Sequence, residues 1–177
     1  MRKIVVLALL VAAIASVAQA KPKKLKADLE GFQEVPAISS TGGGHFQGTL
    51  NSTETQLTYT VTFDDLEAPV TQSHIHFAQK GVNGAIVIFL CSNLGNGPAG
   101  TQACPADGGT ISGTISADNV LAVTPQGIEA GALPEVVRAI RAGNAYVNVH
   151  STSFPGGEIR GQIRFGGPGD KDDDAAE

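Results

Sequence analysis

Leu57, Tyr59, Val61 and Phe63 alternate without a break with Thr58, Thr60 and Thr62. An alternation of period two places one set of side chains in a core and the other toward water only in an extended strand, and a run of β-branched threonines suits that conformation. His45 to Leu50 precedes it across the polar turn Asn51-Ser52-Thr53-Glu54, so the two segments read as an antiparallel hairpin. The same pattern recurs along the chain. Leu25, Ala27 and Leu29 form a first strand ended by Gly31; Thr110 to Ile115 alternates again; Val120 to Val123 reads as a short return strand. Ala85 to Leu90 is continuously apolar, as a strand buried on both faces would be, and Ala145 to Ser151 pairs with Glu158 to Phe165 across Phe154-Pro155-Gly156-Gly157. One helix interrupts this pattern: Leu133, Val136, Val137 and Ile140 fall on one face, with Pro134 near its start and Gly143 where a C-terminal cap belongs. With 22 Gly, 2 Tyr and no Trp, the core is aliphatic and the architecture rich in turns. The expected fold class is all-β, an antiparallel Greek-key β-sandwich or barrel with one short helix.

The ends of the chain read differently. Arg2 and Lys3 precede an apolar run and then Ala18-Gln19-Ala20, the pattern of a signal peptide cleaved after Ala20, and the run is too short for a membrane-spanning helix. Residues 1–20 are therefore expected to direct a secreted or periplasmic protein. Residues 21–24 form a basic, solvated leader, 25–165 a single β domain, and 166–177 a disordered acidic tail. The formal charge of −5 becomes −7 once Arg2 and Lys3 are removed, which excludes a nucleic-acid surface. Cys91 and Cys104 are the only cysteines and flank a Gly/Pro/Asn-rich loop, so in an oxidising compartment they are expected to form a disulfide. Asn51-Ser52-Thr53 is formally a glycosylation sequon, relevant only in a eukaryotic secretory pathway.

Chemistry concentrates in two strands. In Ser73-His74-Ile75-His76-Phe77 the imidazoles share one face and Ile75 and Phe77 the other; in Tyr146-Val147-Asn148-Val149-His150 the valines oppose Tyr146, Asn148 and His150. With the apolar set in the core, His74, His76 and His150 are expected on an outward polar face, where three imidazoles suit a Cu or Zn ion. An odd-length turn places His150 opposite Gln162 and diagonal to Arg160. Asn148, Glu158 and Arg160 are then candidates to orient the ligands, with Glu158 or Asn148 as a possible further ligand. His45, beside a Gly-rich turn, reads as an exposed strand residue.

Four segments carry a resemblance: Gly31-Phe32-Gln33-Glu34-Val35-Pro36, His74-Ile75-His76, Gly81-Val82-Asn83-Gly84, and Asn148-Val149-His150 through Phe154-Pro155-Gly156-Gly157-Glu158-Ile159-Arg160-Gly161-Gln162. Together they resemble the signature of the CHRD (chordin) domain family. That likeness implies an extracytoplasmic β-sandwich or barrel without assigning an activity. The strand-borne His-x-His also resembles the copper-binding pair of Cu,Zn superoxide dismutase, although no histidine lies between His76 and His150 to build that enzyme's second, zinc-holding half. Either a superoxide dismutase-like or an immunoglobulin-like arrangement of strands fits the pattern.

Three functions follow from these residues. The first is an exported binding module holding Cu or Zn through His74, His76 and His150; the second is a metal-free structural or adhesive sandwich with an extracytoplasmic protein as partner. The third is a mononuclear copper enzyme acting on superoxide or a related oxidant. No Ser-His-Asp order, phosphate-binding glycine loop or paired carboxylates stand out, so hydrolase and nucleotide chemistry have no support.

Overall fold

The computed structural model describes residues 21–166, so the expected signal peptide and the expected acidic tail beyond Gly166 lie outside the described residues. The chain forms β1 (Lys23–Glu30), β2 (Gly43–Leu50), β3 (Leu57–Asp64), β4 (Val70–Phe77), β5 (Ala85–Ser92), β6 (Gly109–Ile115), α1 (Leu133–Arg141), β7 (Ala145–Ser151), β8 (Ile159–Gln162) and β9 (Arg164–Phe165). The strands join one antiparallel sheet in the order β5-β4-β7-β8-β1-β2-β3-β6, and β9 continues the chain along β1. Strand β6 returns to lie beside β3 after β4 and β5 have crossed to the far edge, which is a Greek-key path.

The sheet curls until its two edges nearly meet. The side-chain amide of Gln102 donates to Leu90 O on β5 at 3.0 Å and to Ser112 O on β6 at 3.2 Å, so one side chain bridges the seam where a ladder would otherwise close the barrel. Backbone beyond β6 protects the same edge: Leu121 N donates to Val87 O at 2.8 Å. Val120 to Val123 is thus an edge cover with a single bridge, Val123 to Ile128, and not the expected strand. Its edge position also explains why β5 is not buried throughout: Val87, Ile88 and Leu90 are in the core, whereas Ala85 is exposed and Ile86 and Phe89 are half-buried.

The core is built by the alternation itself. Leu57, Val61 and Phe63 of β3, Leu25 and Leu29 of β1, and Val147 and Val149 of β7 are each no more than 2 % exposed, and the apolar face of α1 packs into the same cluster. Truncating one of these large side chains to alanine costs about 2–5 kcal/mol. Helix α1 ends as expected, with Gly143 in the left-handed region at φ 69°. Strand β1 starts earlier than expected. Lys23 and Lys24 of the basic leader pair with Leu50 and Thr49, and their side chains, exposed as expected, reach Glu54 and the Thr49 hydroxyl.

The last hairpin corrects an expected register. Tyr146 faces Gln162, Asn148 faces Arg160 and Val149 faces Ile159, so Arg160, not Gln162, is brought toward the middle of β7. The cause is the turn: Gly157 N bonds Phe154 O and Glu158 N bonds Val149 O, which closes the hairpin before β8 begins. Polar residues still meet polar ones, because the offset is an even number of residues. Among the described residues no helix is long and apolar enough to cross a membrane.

Cys91 and Cys104 are bonded to each other, tying the end of β5 to the strand-free segment before β6. Asn93 pins the same segment, accepting from Cys104 N at 3.0 Å and donating to Cys104 O and Val70 O. Replacing both cysteines by serine should cost about 3 kcal/mol, the loop-closure value for a ring of this size, while far-UV circular dichroism stays that of the β-barrel. Thermal unfolding of parent and variant measures both.

Candidate metal centre

Strands β4 and β7 lie side by side, with Gln72, His74 and His76 opposite His150, Asn148 and Tyr146. Ile75, Val147 and Val149 are fully buried in the core, so the predicted division of faces holds. The outward face is nonetheless not open. His74 is 0 % exposed, His76 7 % and His150 6 %, which overturns the expectation of solvent-facing imidazoles. Three connecting segments roof that face. The 31–38 segment brings Glu34 onto Asn148, the turn before β5 brings Gly84 O to His76, and the β7–β8 turn brings Pro155 O to His150.

These carbonyls decide the protonation pattern. A carbonyl oxygen only accepts, so Nδ1 of His76 donates to Gly84 O at 3.0 Å and Nδ1 of His150 donates to Pro155 O at 3.0 Å. In the neutral rings both Nε2 atoms then carry lone pairs. The lone pair of His150 accepts from His74 Nδ1 at 3.2 Å, while the Nε2 atoms of His74 and His76 are buried without any hydrogen-bond partner. A buried imidazole nitrogen left in this state costs free energy unless something satisfies it. The three side chains can offer ligand atoms within 4.8 Å of one another. Donation of the second ring nitrogen to a backbone carbonyl is also how metal-bound histidines are commonly oriented.

Burial keeps the rings neutral. It lowers His74 to about 2, with help from the neighbouring His150 and His76, and lowers His76 to about 4 against the opposing pull of the Gly84 carbonyl. His150 is lowered too, again chiefly by burial.

The surroundings differ from the expected ones. Tyr146 stacks flat on His76, with ring centroids 4.8 Å apart and planes 4° apart, and Phe89 meets His74 edge-on at 4.4 Å. Arg160 lies over the Tyr146 ring at 3.4 Å from its centroid, so it reaches the histidines through an aromatic ring. Asn148 donates to Glu34 and to Ile159 O, and Glu158 Oε1 accepts from Ser40 and from Glu67 N at 2.6 and 2.7 Å, while Glu158 Oε2 has no partner; neither side chain is hydrogen-bonded to a histidine, as the expected orienting role requires. Backbone carbonyls do the orienting, and they leave no signature in the residue types. Glu34, Tyr146 and Phe89 were not singled out from the sequence, although Glu34 stands within Gly31 to Pro36 and Tyr146 shares the face of Asn148 and His150. His45 stands apart, exposed and paired with Asp28 at 2.8 Å.

The CHRD domain family matches this chain over residues 25–163. The chain belongs to the CHRD domain family. No curated protein and no solved structure matches it. The four segments that carry the CHRD resemblance are far apart in the chain, yet each contributes to this one face: Glu34, the His74–His76 pair, Asn83 and Gly84, and Asn148 through Arg160. In the CHRD hairpin Gly157, at φ 129°, leaves room where a Cβ would stand 2.5 Å from Glu34 Oε1 and 2.6 Å from Asn148 Nδ2.

Burial pushes the Glu34 carboxyl up to about 7, against the Arg160 charge and the Asn148 hydrogen bond. Between pH 4.5 and 7 the folded protein thus holds a proton that the unfolded chain has released, so this residue's contribution to stability falls as pH rises through that window. The depressed histidines act oppositely, since the unfolded chain binds protons below about pH 6.5 that the folded rings refuse. Glu34→Gln removes only the first effect. Denaturant midpoints should show the variant gaining on the parent from pH 5 to pH 8; a constant difference between them would contradict the assignment.

Proposed function

We propose that this CHRD domain is an exported metal-binding module in which His74, His76 and His150 hold a Cu or Zn ion. The observation that carries the reading is the convergence of three neutral imidazoles, with two buried Nε2 atoms lacking partners, under a roof supplied by the family's own segments. A bound ion would supply the electrophile that these lone pairs lack. Export is supported by the leader-like residues 1–20 and by the Cys91–Cys104 disulfide.

The arrangement favours binding over turnover. Arg160, the candidate guiding cation for an oxidant, spends its donors on Asn83 Oδ1, Gln79 O and Val82 O and its face on Tyr146. The metal-free reading accounts for the Gly84 and Pro155 hydrogen bonds but not for the unpartnered Nε2 atoms.

Because the rings are already oriented, metal binds the native state alone and raises its stability, by about 2.7 kcal/mol when the free ion stands at 100 times Kd. Thermal melts with and without Cu or Zn should therefore show a shift of several degrees. His74→Ala, His76→Ala or His150→Ala should each abolish most of that shift, and His45→Ala should leave it intact. Equal shifts in all four variants, or none in the parent, would return these histidines to a structural role.

A further inference from the structure

The composition of the site bears on which ion it takes. Among the described residues, the cluster that can ligate contains three histidines and no carboxylate or thiolate. Of the two carboxylates buried nearby, Glu34 is engaged with Asn148 and Oε1 of Glu158 with Ser40 and Glu67 N; Glu158 Oε2 has no hydrogen-bond partner but does not belong to the histidine cluster. The cysteines are bonded to each other. A full positive charge approaches the triad: Arg160 lies against one face of Tyr146, and His76 is stacked on that ring.

The cost of burying an ion rises with the square of its charge, so in such a place an uncompensated divalent ion is penalised about four times as heavily as a monovalent one. A zinc site needs a fourth donor, whether from the protein or from a water held in an open position. Here the three histidines are each 7 % exposed or less, and Phe89 and Tyr146 occupy the flanks of His74 and His76. Three neutral nitrogens in an aromatic, water-poor setting match a monovalent d10 ion that accepts three-coordination.

We infer that the His74–His76–His150 site selects copper as Cu(I) over Cu(II) and Zn(II). This inference rests on the metal-binding reading above. It is tested on the full chain by anaerobic competition for Cu(I) against bicinchoninate, alongside calorimetric titration with Zn(II) and with Cu(II). The expected result is a Cu(I) dissociation constant at least 100-fold below that for either divalent ion, lost in His74→Ala. Zn(II) or Cu(II) binding as tight as Cu(I) overturns the selectivity and leaves the metal site standing; no binding of any of the three overturns both.

A second variant isolates the electrostatic cause. Gln72 lies opposite His150 on the neighbouring strand and is partly exposed, with its side chain held by Asn96. Gln72→Glu adds a negative charge beside the triad and should narrow the preference for Cu(I) over Zn(II) about tenfold. An unchanged ratio would contradict the charge argument.

Discussion

A guanidinium that is 2 % exposed must find a partner for every donor it can, and Arg160 finds them in the turn between β4 and β5. Its bonds to Gln79 O, Val82 O and Asn83 Oδ1 clamp that turn over β8. The clamp carries Gly84, whose carbonyl accepts from His76 and whose N–H donates to Tyr146 Oη at 3.2 Å. Asn83 passes the constraint on, donating to Val35 O at 2.8 Å and so holding the segment that presents Glu34. One buried cation thus organises two of the three roofing segments. Without it, the polar face of β4 and β7 would be solvated and its imidazoles free to turn.

Placing charge and hydrogen-bonding groups in a second, buried layer outside the barrel is expensive unless each group is satisfied, and nearly all of them are. Glu158 binds a hydroxyl and an amide, Gln162 donates to Ala78 O and Gly143 O, and Asn148 bridges Glu34 and Ile159 O. Against that background the orphaned atoms, Nε2 of His74 and of His76 and one oxygen of Glu158, stand out as local exceptions. Exceptions of this kind are where function is sought, because the remainder of the layer shows that the fold can satisfy such groups when it has reason to. The barrel core beneath supplies rigidity, since Ile75, Val147 and Val149 fix the backbone from which the imidazoles project.

Much of this was legible in the residues. Strict alternation in Leu57 to Phe63 and in Tyr146 to His150 separated core from polar face, and the segments shared with the CHRD family contain the three histidines that converge. What alternation could not show was depth. A polar face looks the same in sequence whether water or a loop covers it, so the burial of His74, His76 and His150 emerges only when the 31–38 segment and the two turns that carry Gly84 and Pro155 fold across it. The Glu34–Asn148 contact spans 114 positions, and the acceptors Gly84 O and Pro155 O belong to backbone, which every residue has. Lys23 and Lys24 looked like a solvated leader because their side chains are solvated; their backbone pairing with Leu50 and Thr49 depends on β2 and has no local signal.

The central claim is that the metal-free protein already holds its imidazoles neutral, with protons on the nitrogens that face the roof. Long-range 15N–1H correlation spectra of the histidine side chains at pH 6 read this directly. Nδ1–H tautomers for His76 and His150, each with a bare Nε2, are the predicted result. Imidazolium rings, or Nε2–H tautomers at either position, would contradict it.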